Sequence, residues 1–179
     1  MELKEEMVSQ ETVYQGIIVN VRRDKAKLPD GRLTNREVVE HPGGVAIFAM
    51  DDQDRVALVR QYRYPMGEIV LELPAGKLEP GEDPFESAKR ELSEECGLSA
   101  DNYIDLGVVY PTVGYDSEKI YLWAATGLHK GGQHLDAGEF LDVVRMPFEE
   151  ALQKVLSGEI KDSKTQIGLM KYALLRGKA

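Results

Sequence analysis

Glu82, Glu91, Glu94 and Glu95 lie within the stretch GKLEPGEDPFESAKRELSEECGL, residues 76–98, together with Gly76, Arg90 and Gly97. Glu91, Glu94 and Glu95 stand at spacings i, i+3 and i+4, which one side of a helix would gather. Asp83 and Pro84 start such a helix well, as an acidic N-cap followed by proline at the first helical position. Gly97 ends it as a C-cap glycine. Like charges at these spacings cost a helix roughly 0.2–0.5 kcal/mol per pair. A divalent cation would offset that cost. Carboxylates without thiol or imidazole select a hard, oxygen-seeking ion such as Mg²⁺ or Mn²⁺.

The spacing as a whole resembles the Nudix box, G-x5-E-x7-R-E-U-x-E-E-x-G-U, where U is bulky and aliphatic. Gly76, Glu82, Arg90-Glu91-Leu92, Glu94-Glu95 and Gly97-Leu98 fill every defined position. The resemblance implies an α+β fold, an α/β/α sandwich around a mixed sheet, and metal-dependent cleavage of a pyrophosphate bond. Bound metal would lower the pKa of a coordinated water and neutralise charge on the phosphoryl groups. Glu91 and Glu95 are the expected metal ligands, with Glu94 beside them and Glu82 able to supply further oxygens. Arg90 could touch phosphate, but the family reading has it orient the glutamates by salt bridging. The expected cofactor is Mg²⁺, with Mn²⁺ as a substitute.

The segment before the box, Leu71-Glu72-Leu73-Pro74-Ala75-Gly76, resembles the LELPAG sequence of the ADP-ribose pyrophosphatase branch. There the alanine carbonyl is a metal ligand, which assigns that role to Ala75. Glu72 sits in an otherwise apolar strand and needs a partner if buried. The resemblance pairs it with substrate or with an arginine. Upstream, Arg60-Gln61-Tyr62-Arg63 resembles the RQYR stretch of the same branch, where arginines and aromatics could hold diphosphate and stack on a base. Arg63 is the first candidate for substrate contact, with Arg60 beside it; Arg22 and Arg36 are weaker ones.

Downstream, residues 110–118 (YPTVGYDSE) occupy the place of a loop reading roughly SPGFxxE in these enzymes. Glu118 matches its terminal glutamate, a metal ligand or the general base in relatives. Gly114 would let the loop close on substrate. Val113 stands where a proline is common, and that proline is a mark of ADP-ribose hydrolases.

Around these residues the pattern places strands near 14–28, 33–40, 45–50, 55–61, 69–73, 103–110, 118–125 and 140–146, and helices near 147–157 and 162–176. Asp162 is the N-cap of the last helix. Ile167, Met170, Leu174 and Leu175 form a stripe read as core. Residues 1–44 read as an N-terminal antiparallel strand appendage and 45–179 as the catalytic domain. In relatives such an appendage exchanges across a homodimer and helps form the adenine pocket; the apolar residues among 17–21 need a partner surface in any case. His129 and His134 flank two glycines in a polar connection read as solvated and mobile.

The 179 residues carry a net charge of −9, which argues against nonspecific binding to nucleic acid or anionic membrane. No apolar run approaches the roughly 20 residues a membrane span needs. The polar N-terminus is no secretory signal, and the single Cys96 cannot form an internal disulfide, which suits a cytoplasmic location. Cys96 reads as a small core residue. The expected substrate is a small nucleoside diphosphate sugar, ADP-ribose first. A nucleoside triphosphate hydrolase keeps the chemistry but needs neither appendage nor RQYR. A non-catalytic ADP-ribose sensor is opposed by the intact box.

Overall fold

The computed structural model describes residues 2–177. The chain divides into two compact units: one is the segment up to Gly43 together with Tyr110–Lys119, the other Gly44–Val109 with Ile120–Ala179.

In the first unit, β1 (Glu6–Gln15), β2 (Asn20–Lys27) and β3 (Leu33–Glu40) form an antiparallel sheet in that order. The single strand expected over 14–28 is thus two. Gly16 donates to the Val19 carbonyl at 3.0 Å and closes a tight turn, so Gln15 ends one strand and Asn20 starts the next. Most of β1, residues 6–13, lies outside the expected strands. Every one of its residues is exposed, so it lacks the alternation that marks a half-buried strand. Ile17 lies in the turn, fully exposed, rather than on a strand face. The 110–119 loop adds to the end of β3: Val39 donates to Tyr115 at 2.7 Å, and Ser117 returns a bond to Val39 at 2.9 Å.

The second unit is a mixed sheet with helices on both faces. β4 (Gly44–Met50), β5 (Arg55–Arg63), β8 (Leu98–Val109), β9 (Ile120–Lys130) and β10 (Leu141–Pro147) lie in the order β10-β5-β4-β9-β8. β6 (Glu68–Glu72) pairs with β5, and the short β7 (Ala75–Lys77) pairs with β4. β4 and β9 run parallel, and the other pairs are antiparallel. β4 is buried throughout, as a central strand covered on both faces must be. Ala46, Phe48 and Met50 pack toward α2 (Phe148–Leu156) and α3 (Ser163–Arg176), joined by Leu58, Leu73, Leu122, Phe148 and Leu169. Val45, Ile47 and Ala49 meet Ala88, Leu92 and Cys96 of α1 (Pro84–Cys96) on the other face.

Two expectations change here. α3 buries Thr165, Gly168 and Leu169, while Met170, Leu174 and Leu175 of the expected stripe are exposed. The reason is Gly168: a Cβ there would come within 2.6 Å of the Leu73 side chain, so the glycine side is the one that approaches the sheet. The connection after Ala125 is also less free than expected. β9 continues to Lys130, His129 pairs with Asp101 at 2.8 Å, and Gly131 donates to the Gly97 carbonyl at 2.7 Å. Among the described residues no helix is long and apolar enough to cross a membrane.

Candidate active site

The acidic helix forms as its caps dictate. The Asp83 side chain accepts from the Phe85 and Glu86 N–H groups, Pro84 opens the first turn, and Gly97 takes the left-handed conformation at φ 61°. Glu91 and Glu95 then project from one face of α1 toward β7. Gly76 is what admits Glu91, because a Cβ at residue 76 would overlap the Glu91 carboxylate. Glu95 is held by the Ala75 N–H, which donates to Oε2 at 2.8 Å.

Arg90 gathers the remaining acids. Its Nε donates to Glu82 at 2.9 Å, and its Nη1 donates to Glu91 at 2.9 Å and Glu94 at 2.7 Å. Nη2 adds Ser87 at 3.2 Å. The bond to Glu82 foremost raises the Arg90 pKa, and the same bond lowers that of Glu82. One guanidinium thus answers the like-charge repulsion in three carboxylates, and it leaves Glu95 aside.

Burial dominates the other two acids. Loss of solvent pushes Glu91 up to about 7, against the pull of Arg90. It pushes Glu95, 2% exposed, up to about 8, against the single Ala75 hydrogen bond. A second source acts on both. The charge of Glu139, in the connection before β10, raises each of them. Sequence reasoning missed Glu139 because it belongs to no motif. The pairing of β5 with β10, Gln61 opposite Leu141, brings it in, and Gln61 Nε2 reaches its Oε1 at 3.4 Å.

The donor set fits a hard divalent ion: carboxylates that burial keeps from being comfortably charged alone, beside a cradle that only glycine leaves open. Among the described residues no three acidic side chains converge closely enough to cage an ion by themselves.

Beside the box, Arg63 clasps Glu72 with two parallel bonds of 2.6 and 2.8 Å, and Lys164 approaches the same carboxylate. Burial would raise the Glu72 pKa, but the two cations outweigh it and hold it below the usual value. Of the two partners expected for Glu72, the structure supplies the arginine. At 2% exposure Glu72 is buried against these two cations, and Arg63 keeps the edge that Glu72 does not use. Arg60 and Tyr62 line a cavity of about 330 Å³ with Leu135, Glu139 and Phe140. Cys96 is buried and its thiol pushed up to about 12 by loss of solvent, so it packs rather than reacts.

In the first unit, Glu118 lies with its Oε1 3.4 Å from His41 Nδ1, and its N–H donates to Asp116 at 2.9 Å. Gly114 has open space where a Cβ would stand, so no crowding requires a glycine there. Arg36 is bound to Glu5, and Arg22 to Asp24 and Glu40.

A family model described as the NUDIX domain matches residues 40–165, most of the chain. The chain belongs to the Nudix family. A second model, the nucleoside diphosphate sugar hydrolase N-terminal domain, matches residues 5–39. The chain is 38% identical over 168 residues to the methanol dehydrogenase activator of Bacillus methanolicus, covering 93% of this chain and 91% of that one. It is 40% identical over 168 residues to the ADP-ribose pyrophosphatase of Mycobacterium tuberculosis, covering 92% and 81%. A solved structure described as an ADP compounds hydrolase superposes with a TM-score of 0.86 over 100% of this chain and 98% of that one, at 24% identity, which bears on the fold.

Proposed function

We propose that this Nudix hydrolase cleaves the pyrophosphate bond of ADP-ribose or a related nucleoside diphosphate sugar, giving a nucleoside monophosphate and a sugar phosphate. The observation that carries this reading is the pair Glu91, half-buried against Gly76, and Glu95, buried and held by Ala75, on an intact box. The matched N-terminal domain and the name of the mycobacterial relative support the nucleotide-sugar class.

Nudix hydrolases use a divalent metal, and Mg²⁺ is the proposed ion, with Mn²⁺ as substitute. Glu91 and Glu95 would hold it, with Glu94 and the Ala75 carbonyl beside them. Bound there, the ion supplies an activated water and neutralises phosphoryl charge. The chain's own part is orientation. Arg90 sets Glu82, Glu91 and Glu94, the Ala75 N–H sets Glu95, and Glu139 adds negative potential that favours a cation. Glu118 is the proposed proton acceptor, on the strength of the loop it ends. Arg60 and Arg63 are proposed to meet the diphosphate, Arg63 through its free edge.

The protein is proposed to act as a homodimer. Met7, Val8, Val13, Tyr14, Ile17 and Ile18 are all exposed in the first unit, an apolar series that a second copy would cover.

A substrate screen with Mg²⁺ tests the reading. ADP-ribose, a GDP-sugar, a dinucleoside polyphosphate and ATP are compared by phosphate release after coupling to a phosphatase. Strong ATP cleavage with no cleavage of either nucleotide sugar would overturn it.

A further inference from the structure

The run Asp162-Ser163-Lys164-Thr165 opens α3, far in sequence from the box, and the chemistry above gives it no task. Thr165 is completely buried. Its hydroxyl has two partners: it accepts the Leu73 N–H at 2.8 Å and donates to Asp162 Oδ2 at 2.5 Å. Asp162 also caps the helix by accepting the Thr165 N–H at 2.9 Å. Lys164 bridges Asp162, at 3.0 Å, and the Glu72 carboxylate. The first turn of α3 therefore grips two consecutive residues, Glu72 by its side chain and Leu73 by its backbone. Gly168, one turn on, lets the helix lie close against Leu73.

The gripped strand leads straight into the box. Pro74 accepts the Ile47 N–H at 2.9 Å, and the Ala75 N–H donates to Glu95 at 2.8 Å. That last bond is the one hydrogen bond to the Glu95 carboxylate among the described residues. A shift of the strand at Leu73 moves the group that aims Glu95.

We propose that Thr165, assisted by Lys164, is a positioning residue for the metal site: it fixes residues 72–75 and, through the Ala75 N–H, the orientation of Glu95. The inference rests on Glu95 being a metal ligand and is independent of which nucleotide sugar is cleaved. Groups that orient metal ligands typically change metal affinity or activity by about 10–100-fold when removed. A helix cap that served folding alone would leave metal affinity untouched.

Thr165→Val keeps the shape and removes both hydroxyl bonds, whereas Thr165→Ser keeps the hydroxyl. The full-length protein is freed of metal and titrated with Mn²⁺ by electron paramagnetic resonance. Melting temperature is measured in parallel, with kcat and KM for ADP-ribose at limiting and saturating Mg²⁺. Thr165→Val is expected to weaken Mn²⁺ binding about tenfold and to lose kcat mainly at limiting metal, while Thr165→Ser stays within about threefold of the parent. A lowered melting temperature with unchanged Mn²⁺ affinity would overturn the proposal. Should Thr165→Val not fold, Lys164→Gln decides: it leaves Thr165 and the Arg63–Glu72 pair in place, and unchanged Mn²⁺ affinity there overturns the proposal equally. A parent protein that binds Mn²⁺ but spares ADP-ribose refutes the substrate reading, and the binding comparison still stands. A parent that binds no Mn²⁺ refutes the positioning role with the metal site.

Discussion

Glu91 lies in the space that a side chain at Gly76 would fill. The first glycine of the box is therefore a steric requirement, set by a carboxylate 15 positions later in the chain. It has no need of the left-handed backbone freedom for which glycine is usually chosen; its φ is not positive, unlike that of Gly97. Gly76→Ala should displace Glu91 from β7 and Arg90 with it. Turnover is expected to fall by about 10²-fold, the usual result of misplacing a reacting constellation by an ångström. Steady-state kinetics at saturating Mg²⁺ measures this, and an alanine variant with parental kcat would show that Glu91 works from another position.

Metal should stabilise the fold through the same two acids. Burial disfavours the charged forms of Glu91 and Glu95, so an ion that binds them relieves a cost the metal-free protein carries. A ligand present at 100 times its dissociation constant adds about 2.7 kcal/mol. The melting temperature is expected to rise with added Mg²⁺, to return on chelation with EDTA, and to be insensitive to Mg²⁺ in Glu95→Gln. Equal Mg²⁺ response in Glu95→Gln would remove Glu95 from the ligand set. Turnover should fall by at least about 10²-fold in Glu91→Gln and in Glu95→Gln, as for loss of a group that stabilises developing charge.

How much of this was legible in the sequence depends on where each signal is written. α1 announces itself locally, by Asp83-Pro84 at one end, Gly97 at the other and the acids between. β4 is legible as a short apolar run. β1 is not, because a strand exposed along its whole length carries no pattern of burial. The buried side of α3 was misjudged because hydrophobicity pointed to Met170 and Leu174, whereas contact is set by the glycine that permits approach. Glu139 and Lys164 reach the site only through tertiary pairing, of β5 with β10 and of α3 with the strand at Glu72. No spacing in the chain encodes the contact that either makes.

The Arg63–Glu72–Lys164 cluster makes an acid-sensitive contribution to stability. The folded-state pKa of Glu72 is lowered, so the carboxylate binds a proton more weakly in the folded protein than in the unfolded chain. Its contribution is complete above the unfolded value of 4.5 and is lost as pH falls through the lower folded value. Urea unfolding between pH 6 and 3 should show a stability loss in the parent that is smaller in Glu72→Gln. Arg63→Ala should cost about 2 kcal/mol at neutral pH, less than for a fully buried pair because Arg63 is partly exposed and Lys164 remains. A neutral effect would mean that Lys164 alone satisfies Glu72.

Glu118 and Glu139 should fail in different ways when made neutral. Glu118, braced by His41 in its own unit, is the proposed proton acceptor, so Glu118→Gln is expected to lower kcat by at least about tenfold with little change in the Mg²⁺ requirement. Glu139 acts through its charge on Glu91 and Glu95. Removing that charge lets both acids ionise more readily but weakens the field that draws a cation. Glu139→Gln should therefore raise the Mg²⁺ concentration needed for half-maximal rate several-fold, and saturating metal should restore most of kcat. The decisive measurement is a Mg²⁺ titration of turnover for each variant at a fixed, saturating concentration of ADP-ribose. If Glu139→Gln instead loses kcat at every metal concentration while Glu118→Gln keeps it, the proton acceptor is Glu139, and the 110–119 loop has a different task.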